Sequence, residues 1–363
     1  MTRAVIIGFA HMHVNEIAQY ISDHEDFELV GFADVPALKP EATEARYTRA
    51  WNIKNNSEKY GLTPYEDYTQ MLDELKPDMA FILCENSRKS AVVEECAKRG
   101  VNVSIEKPMA VSYADALKIQ ETVEKYGIEA MVNWPVVWRP HIHRQIAALH
   151  SGVAGKLIKA FFCNGHTGPL GKGAKHRGVT EKAQEMTDDE RASTWWYQKE
   201  TGGGALLDIG CYGCFYNEWV RADDDRPLAV MAFAGNYNTP YMNAPDNMAG
   251  IIEYKDSYGV VEGTWTTPQV TMPIGPVYCC TDGVLYCTPD AQVKMANIYG
   301  DEVALPELEI EPHIANIVDH YADCKKNGKA LLKPLTLDFN VKLMSLIDSA
   351  MRSTESGKKE IVK

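Results

Sequence analysis

Over roughly its first 130 residues the chain alternates short apolar runs, the first of them (Ala4–Gly8) unbroken, with stretches of helical spacing. Val14–Tyr20 has helical spacing, and Phe27–Ala33 is apolar again. Met79–Leu83, Val101–Ile105 and Glu129–Val132 continue the strands. Helices are expected over Arg88–Arg99, closed by Gly100, and over Ala114–Tyr126, with Gly127 placed to end it in the left-handed region. A strand apolar at both parities is buried on both faces, and helices alternating with such strands are right-handed crossovers. The arrangement that satisfies both is a parallel sheet with helices on its two faces.

Beyond about residue 150 the pattern changes. Lys156–Cys163, Leu228–Ala234, Met248–Lys255 and Val260–Thr266 read as strands, the last two joined by a turn at Asp256–Gly259. Val277–Cys287 contains Asp282-Gly283, which predicts the two positive-φ positions of a tight hairpin. This half is expected to be antiparallel. Leu228–Ala234 is apolar on both parities, so one face should meet helices and the other a second copy, giving a homo-oligomer, a dimer or tetramer. Gly168–Arg191 is a charged, glycine-containing excursion of a length that usually serves function. Asp338–Ser353, with Val341, Leu343, Met344 and Ile347 at helical spacing, should return onto the core. The 363 residues suit two domains. Their expected bounds are 1–133 and 134–335, the second serving substrate and oligomer contacts, with 336–363 as the returning helix.

The charge balance limits the partners. Against 37 Lys and Arg stand 50 Asp and Glu, a net charge of −13, with no basic run to reverse it locally, which argues against nucleic acid. No stretch approaches the ~18 apolar residues of a membrane span, and Ala4–Ala10 is too short for an export signal. A cytoplasmic protein is expected. Nine scattered cysteines, an odd number, suit free thiols in a reducing compartment. The Cys211–Cys214 pair has no second pair at zinc spacing, and His141 and His143, two apart, do not share a helical face, so no metal is expected.

Three motifs carry chemistry. In Val5-Ile6-Ile7-Gly8-Phe9-Ala10-His11-Met12-His13 a strand turns into a helix whose N-terminus suits a pyrophosphate. Only the first glycine of the usual trio is present; Ala10 is small, and His13 stands in the third place. Asp34, 21 residues after His13 at the end of the second strand, is placed to accept bonds from a ribose diol and repel a 2′-phosphate. NAD is therefore expected over NADP, with Lys39 the nearest cation in the residues that follow. Ser104-Ile105-Glu106-Lys107-Pro108-Met109 puts a lysine at the ligand-binding edge of a parallel sheet. In Gly202-Gly203-Gly204 through Tyr212, Asp208 and Tyr212 are four apart and share a helical face. Each motif has a plainer reading: an ordinary turn, a solvated lysine, a glycine-led helix with a dipole-favoured aspartate. Trp195, Trp196 and Tyr197 suit sugar CH surfaces or a core equally, and His166 suits a sugar hydroxyl or the surface.

Taken together, these residues resemble the Gfo/Idh/MocA oxidoreductases. The likeness rests on the first turn, Glu106-Lys107-Pro108, Gly202-Gly203-Gly204, Asp208 four before Tyr212, and a returning helix between Pro334-Leu335-Thr336 and Gly357-Lys358. It covers essentially the whole chain. Many members have His at the position of Tyr212, so the chain is similar to the tyrosine-bearing subset. The resemblance implies an α/β protein with an N-terminal Rossmann doubly wound parallel sheet and a C-terminal α/β domain built on a large, mostly antiparallel sheet. It implies cofactor contacts at Gly8, Phe9, Ala10, His11, His13, Asp34, Cys84, Asn86, Lys89, Glu106 and Lys107, and substrate contacts at Asn133, His166, Trp196 and Asp208. The family's Thr-Pro-Asn-x-x-His is here Cys84-Glu85-Asn86-Ser87-Arg88-Lys89, which keeps Asn86 and lacks the Pro and His.

The expected function is NAD-dependent hydride transfer at a CH–OH group of a sugar, polyol or related cyclic alcohol, with Lys107, Asp208 and Tyr212 catalytic. Tyr212 is the candidate proton carrier. Its reference pKa of ~10 is high, and the Lys107 ammonium is expected to lower it by about one unit or more. Asp208 would orient a substrate hydroxyl or hold Lys107; Lys107 as the acid–base group itself is the alternative. Two other readings are a glycosidase or lyase that recycles its NAD internally and a non-catalytic NAD sensor. A sensor has no need of the retained Lys107, Asp208 and Tyr212.

Overall fold

In the computed structural model, residues 1–273, 275–308, 310 and 314–363 are described. The first third is a parallel sheet of β1 (Thr2–Ile7), β2 (Phe27–Ala33), β3 (Met79–Ile82), β4 (Asn102–Glu106) and β5 (Ala130–Asn133), in the order β2-β1-β3-β4-β5. Its helices are α1 (Val14–Asp23), α2 (Arg49–Tyr60), α3 (Tyr68–Leu75), α4 (Lys89–Lys98) and α5 (Tyr113–Tyr126). Ile7 pairs with Ala33 and Ile82, Ile82 with Ile105, and Ile105 with Val132, so all five strands end in one row. That register brings Gly8, Asp34, Cys84, Lys107 and Asn133 to a single edge. The order reverses at β1, and the crevice outside the carboxyl ends of β1 and β3 is where such sheets take ligands.

Two helices, α2 and α3, were absent from the sequence-based expectations. In α2 the inward face is polar: Asn52 and Asn56 are buried and bond across to Asn15 of α1, at 2.9 and 3.0 Å. A seam of buried, cross-bonded amides gives no apolar periodicity.

The rest of the chain holds α6 (Pro140–His150), β6 (Leu157–Gly165), α7 (Asp188–Ser193), α8 (Cys211–Trp219), β7 (Ala229–Gly235), β8 (Asn247–Glu253), β9 (Tyr258–Thr264), β10 (Val277–Cys280), β11 (Gly283–Cys287), β12 (Val293–Asn297) and β13 (Glu302–Val303). It closes with α9 (Ile317–Asn327), α10 (Leu337–Ser356) and β14 (Glu360–Ile361). The nine strands run β13-β12-β11-β10-β6-β9-β8-β7-β14. The sheet is mostly antiparallel, but β6 and β9 are parallel, with Phe161 opposite Val260. The hairpin at 280–283 also departs from expectation, because neither Asp282 nor Gly283 has a positive φ. Gly283 is needed for closeness instead: a Cβ there would lie 2.4 Å from the Ala296 carbonyl oxygen. The turn is held by its neighbour, Thr281 and Asp282 donating to the carbonyls of Lys156 and Ala154 at 2.9 Å.

The C-terminal helix α10 packs against both β7 and α5. Ser353 Oγ accepts from the Ala232 N–H at 2.9 Å, and Asn340 Oδ1 accepts from the Trp134 indole at 2.7 Å. All nine cysteines are free thiols. Among the described residues no helix is long and apolar enough to cross a membrane.

Candidate active site

The turn after β1 is shaped by Gly8. Its φ is +95°, and a Cβ would lie 2.4 Å from the Cys84 amide nitrogen, so β1 and β3 leave the sheet closer together than any other residue permits. Phe9 N–H donates to Asp34 Oδ1 at 2.8 Å, which aims that carboxylate at the turn. Asp34 has a partner that lies far from it in sequence. Arg49, at the start of α2, places Nη1 2.9 and 2.8 Å from the two Asp34 oxygens and Nη2 2.6 Å from Glu85 Oε1. Lys39, the cation expected near Asp34, instead pairs with Glu200.

Where β4 ends, Lys89 does not face the crevice. It is fully buried, and its ammonium donates to Asn86 Oδ1 and to the carbonyls of Glu106 and Pro108 at 2.6–2.7 Å. Burial pushes it down to about 8, with Glu106 opposing. The expected cofactor contact at Lys89 is thereby corrected; it braces the loop that presents Lys107. Asn133 likewise turns inward, donating to Glu106 Oε2 and accepting from the Trp138 indole, both at 3.1 Å. It orients Glu106 and is not among the residues that line the cavity beside Lys107.

His13 Nδ1 lies 3.0 Å from Glu106 Oε1. Burial works against its charge, but Glu106 and Glu16 raise its pKa overall; Glu106, despite its own burial, is held low chiefly by His13. His11, His13 and Glu106 bring potential ligand atoms within 4.8 Å of one another. His11 Nδ1 already accepts from His13 N–H at 3.2 Å, and His13 is on Glu106, so the three form an internal hydrogen-bonded set. Burial, then the charges of His13 and Lys107, keep His11 neutral. Its Nε2 is buried without a partner, and His11 lines the cavity. The unpartnered Nε2 on the cavity wall fits an extended ligand with oxygen acceptors laid over the turn.

The cavity, about 680 Å³, is bounded by Lys107, Asp208, Tyr212, His166, Trp196 and His11 among others. A π turn over Leu206–Gly210 leads into α8 and sets Asp208 and Tyr212 on the same side. Lys107 Nζ donates to the Asp208 carbonyl at 2.9 Å and to Oδ1 at 3.1 Å, and lies 4.6 Å from the centre of the Tyr212 ring. Asp208 Oδ2 accepts from the Trp265 indole at 2.9 Å and meets His166 Nε2 at 3.2 Å. Burial opposes charge at Asp208, yet Lys107 and His166 hold its carboxyl well below the usual range. Burial also opposes the Lys107 ammonium, and Tyr212 and Asp208 more than compensate, raising it above an ordinary lysine.

Tyr212 runs against expectation. Burial pushes its phenol up by more than Lys107 pulls it down, so the hydroxyl stays protonated. The ammonium sits over the face of the neutral ring, whose π cloud attracts the cation.

The long loop proves to be a wall of the site. His176 packs on Tyr47 at 4.7 Å between ring centres, Gly178 lies against the backbone of Asn15 and Glu16, and the Tyr47 hydroxyl donates to the Glu181 carbonyl. Trp195 and Trp196 are almost fully buried; the Trp195 indole donates to the Ala10 carbonyl at 2.8 Å, whereas Trp196 lines the cavity. Arg49 and Trp265 carry no local signal of a site in the sequence, and His176 is covered only by the expectation that the loop Gly168–Arg191 serves function.

Residues 2–134 match the family described as the oxidoreductase family with an NAD-binding Rossmann fold, and residues 173–282 match the GFO/IDH/MocA C-terminal domain. The trans-1,2-dihydrobenzene-1,2-diol dehydrogenase of Xenopus tropicalis is 25% identical over 266 residues, 72% of this chain and 71% of that protein. Two solved structures share the fold. An aldose-aldose oxidoreductase from Caulobacter crescentus complexed with glycerol has TM-score 0.74 and 17% identity, with 99% of each chain covered. The WlbA dehydrogenase from Bordetella pertussis in complex with NADH and UDP-GlcNAcA has TM-score 0.74 and 15% identity, covering 100% of this chain and 99% of that one.

Proposed function

The chain belongs to the Gfo/Idh/MocA family of NAD-binding oxidoreductases, and from that premise we propose that it transfers a hydride at a CH–OH group of a sugar, polyol or cyclic alcohol, with NAD preferred to NADP. The observation that carries this reading is the Lys107 ammonium, fixed by Asp208 on the wall of a cavity that also reaches the Gly8–His13 turn. The named substrates of the dehydrogenase relatives, a dihydrodiol among them, support the substrate class. Gly8, Phe9, Ala10, His11, His13, Asp34, Cys84, Asn86 and Glu106 are the residues that would hold the dinucleotide. When bound, its nicotinamide accepts or supplies the hydride.

The protein's own task is the proton and the geometry. Two of the three Nζ hydrogens of Lys107 are taken up by Asp208, which leaves one for the substrate oxygen. As an ammonium it stabilises negative charge developing on that oxygen and donates the proton in the direction of reduction. Tyr212, kept as a phenol, donates a second hydrogen bond. His166 and Trp196 bound the substrate, and Asp208 keeps Lys107 and His166 in place. The retained Lys107–Asp208 pair favours catalysis over sensing. An assay of sugars, polyols and cyclic diols with NAD tests the reading: NADH absorbance should rise with at least one of them. Glycoside cleavage with no NADH formed would replace it by the internally recycling alternative.

The same reading includes a homo-oligomer. On the face of the large sheet away from α8 and α10, Met231 lies opposite Ile251, Ile251 opposite Val260, and Val260 opposite Phe161. Met231, Ile251 and neighbouring Phe233 are 50, 55 and 59% exposed in the single chain. A contiguous apolar row of this kind suits a second copy. Light scattering at micromolar concentration should give at least twice the 40.5 kDa chain mass; the monomer mass would overturn it.

A further inference from the structure

The cation that the sequence reading missed beside Asp34 makes every close contact with protein. Arg49 Nη1 donates to both Asp34 oxygens and, at 2.7 Å, to the Val35 carbonyl. Nη2 is on Glu85. The Glu41 carboxylate brackets the start of α2 from the other side, accepting from the Arg49 N–H at 3.2 Å and standing 3.7 Å from Nε. Nε itself has no hydrogen-bond partner. Arg49 is 8% exposed and Glu85 1%. Three carboxylates thus surround one guanidinium at the corner where the adenosine ribose of a dinucleotide would lie.

A guanidinium is the group best suited to a 2′-phosphate, with donors spaced for two of its oxygens. Here both Nη groups are engaged by protein acceptors and Nε faces Glu41, so any phosphate that approached would meet Asp34, Glu41 and Glu85. A ribose diol needs only acceptors, and the Asp34 carboxylate, held at both oxygens, still has lone pairs to offer.

We propose that Arg49 is the specificity-determining residue of the cofactor corner: it fixes Asp34 toward a ribose diol, while Glu41 and Glu85 keep its guanidinium from a 2′-phosphate. This rests on the oxidoreductase reading. It makes Arg49 a latent 2′-phosphate site, closed by two acids rather than by the absence of a cation.

The test is binding, and it requires no substrate. NADH and NADPH are titrated into the full chain, followed by calorimetry and by tryptophan emission. The wild type should bind NADH the more tightly. Glu41→Gln with Glu85→Gln, which keeps an amide oxygen for Nη2, should improve NADPH affinity about tenfold and change NADH affinity less than about threefold. Arg49→Met should weaken NADH about tenfold without helping NADPH, and added to the two glutamine changes it should abolish the NADPH gain. Glu41→Gln alone should give part of the gain if Glu85→Gln impairs folding, as judged by circular dichroism. An NADH-to-NADPH ratio unchanged in these glutamine variants, or an NADPH gain that survives Arg49→Met, would overturn the inference. A wild type that binds neither nucleotide would overturn the oxidoreductase reading as well; one that binds NADH with an unmoved ratio would overturn only this inference.

Discussion

Lys107→Met should lower kcat by about 10²–10⁴, the usual worth of a positioned acid–base group, and alter cofactor affinity far less. The side chain is 2% exposed and held by two contacts to Asp208, so its loss removes the proton donor and leaves the Asp208 carboxylate to Trp265 and His166. Tyr212→Phe should be milder, a loss under about tenfold expressed mainly in KM, because burial keeps that hydroxyl a phenol. Adding Tyr212→Phe to Lys107→Met should cost little more than Lys107→Met alone, since the two residues act on one oxygen. The pH dependence follows from the raised Lys107. Its base form becomes populated only as pH rises, so oxidation should climb through the alkaline range, whereas reduction, which uses the ammonium, should be flat across neutrality. A Tyr212→Phe loss of a hundredfold or more, with Lys107→Met no worse, would return the proton to Tyr212.

Gly8→Ala is expected to destabilise the protein by about 3 kcal/mol or more, combining a φ that L residues rarely adopt with overlap against backbone. The added Cβ would lie 2.4 Å from Cys84 N and 2.7 Å from its Cα, neither of which can rotate away. The sheet would have to part between β1 and β3, where the ligand crevice opens. Urea unfolding should show a lower midpoint, and any folded fraction should bind NADH more weakly. An unchanged midpoint would mean that the turn has more room than its geometry indicates. Gly61→Ala is a useful contrast: its φ is +66°, but a Cβ there meets nothing within 4 Å, so only the conformational cost remains.

Most of the parallel sheet was legible because β1 and β3 end in unbroken apolar runs and each strand ends near glycine, proline or a polar residue. The four-residue spacing of Asp208 and Tyr212 likewise announced a shared face, and the structure puts both on the cavity. What could not be read was contact across long separations. Arg49 is 15 residues beyond Asp34 and reaches it only because α2 folds back along a seam of buried asparagines. The meeting of His166 and Trp265 at Asp208 depends on the parallel register of β6 and β9: Gly165 lies opposite Thr264, so the two rings follow in step and stack at 6.3 Å. An antiparallel expectation places them apart. Lys89 and Asn133 were expected to meet ligands, yet their side chains turn inward to acceptors and donors that only the folded chain supplies.

On the proposed function, hydride passes between a substrate carbon and the nicotinamide on this chain. The most direct measurement uses a sugar or polyol deuterated at its carbinol carbons, incubated with the wild-type protein and NAD, with the reduced nucleotide then weighed by mass spectrometry. NADH should carry one deuterium for each molecule of substrate oxidised, and none should form with Lys107→Met on the same timescale. Substrate converted or cleaved with no labelled NADH released would contradict that function.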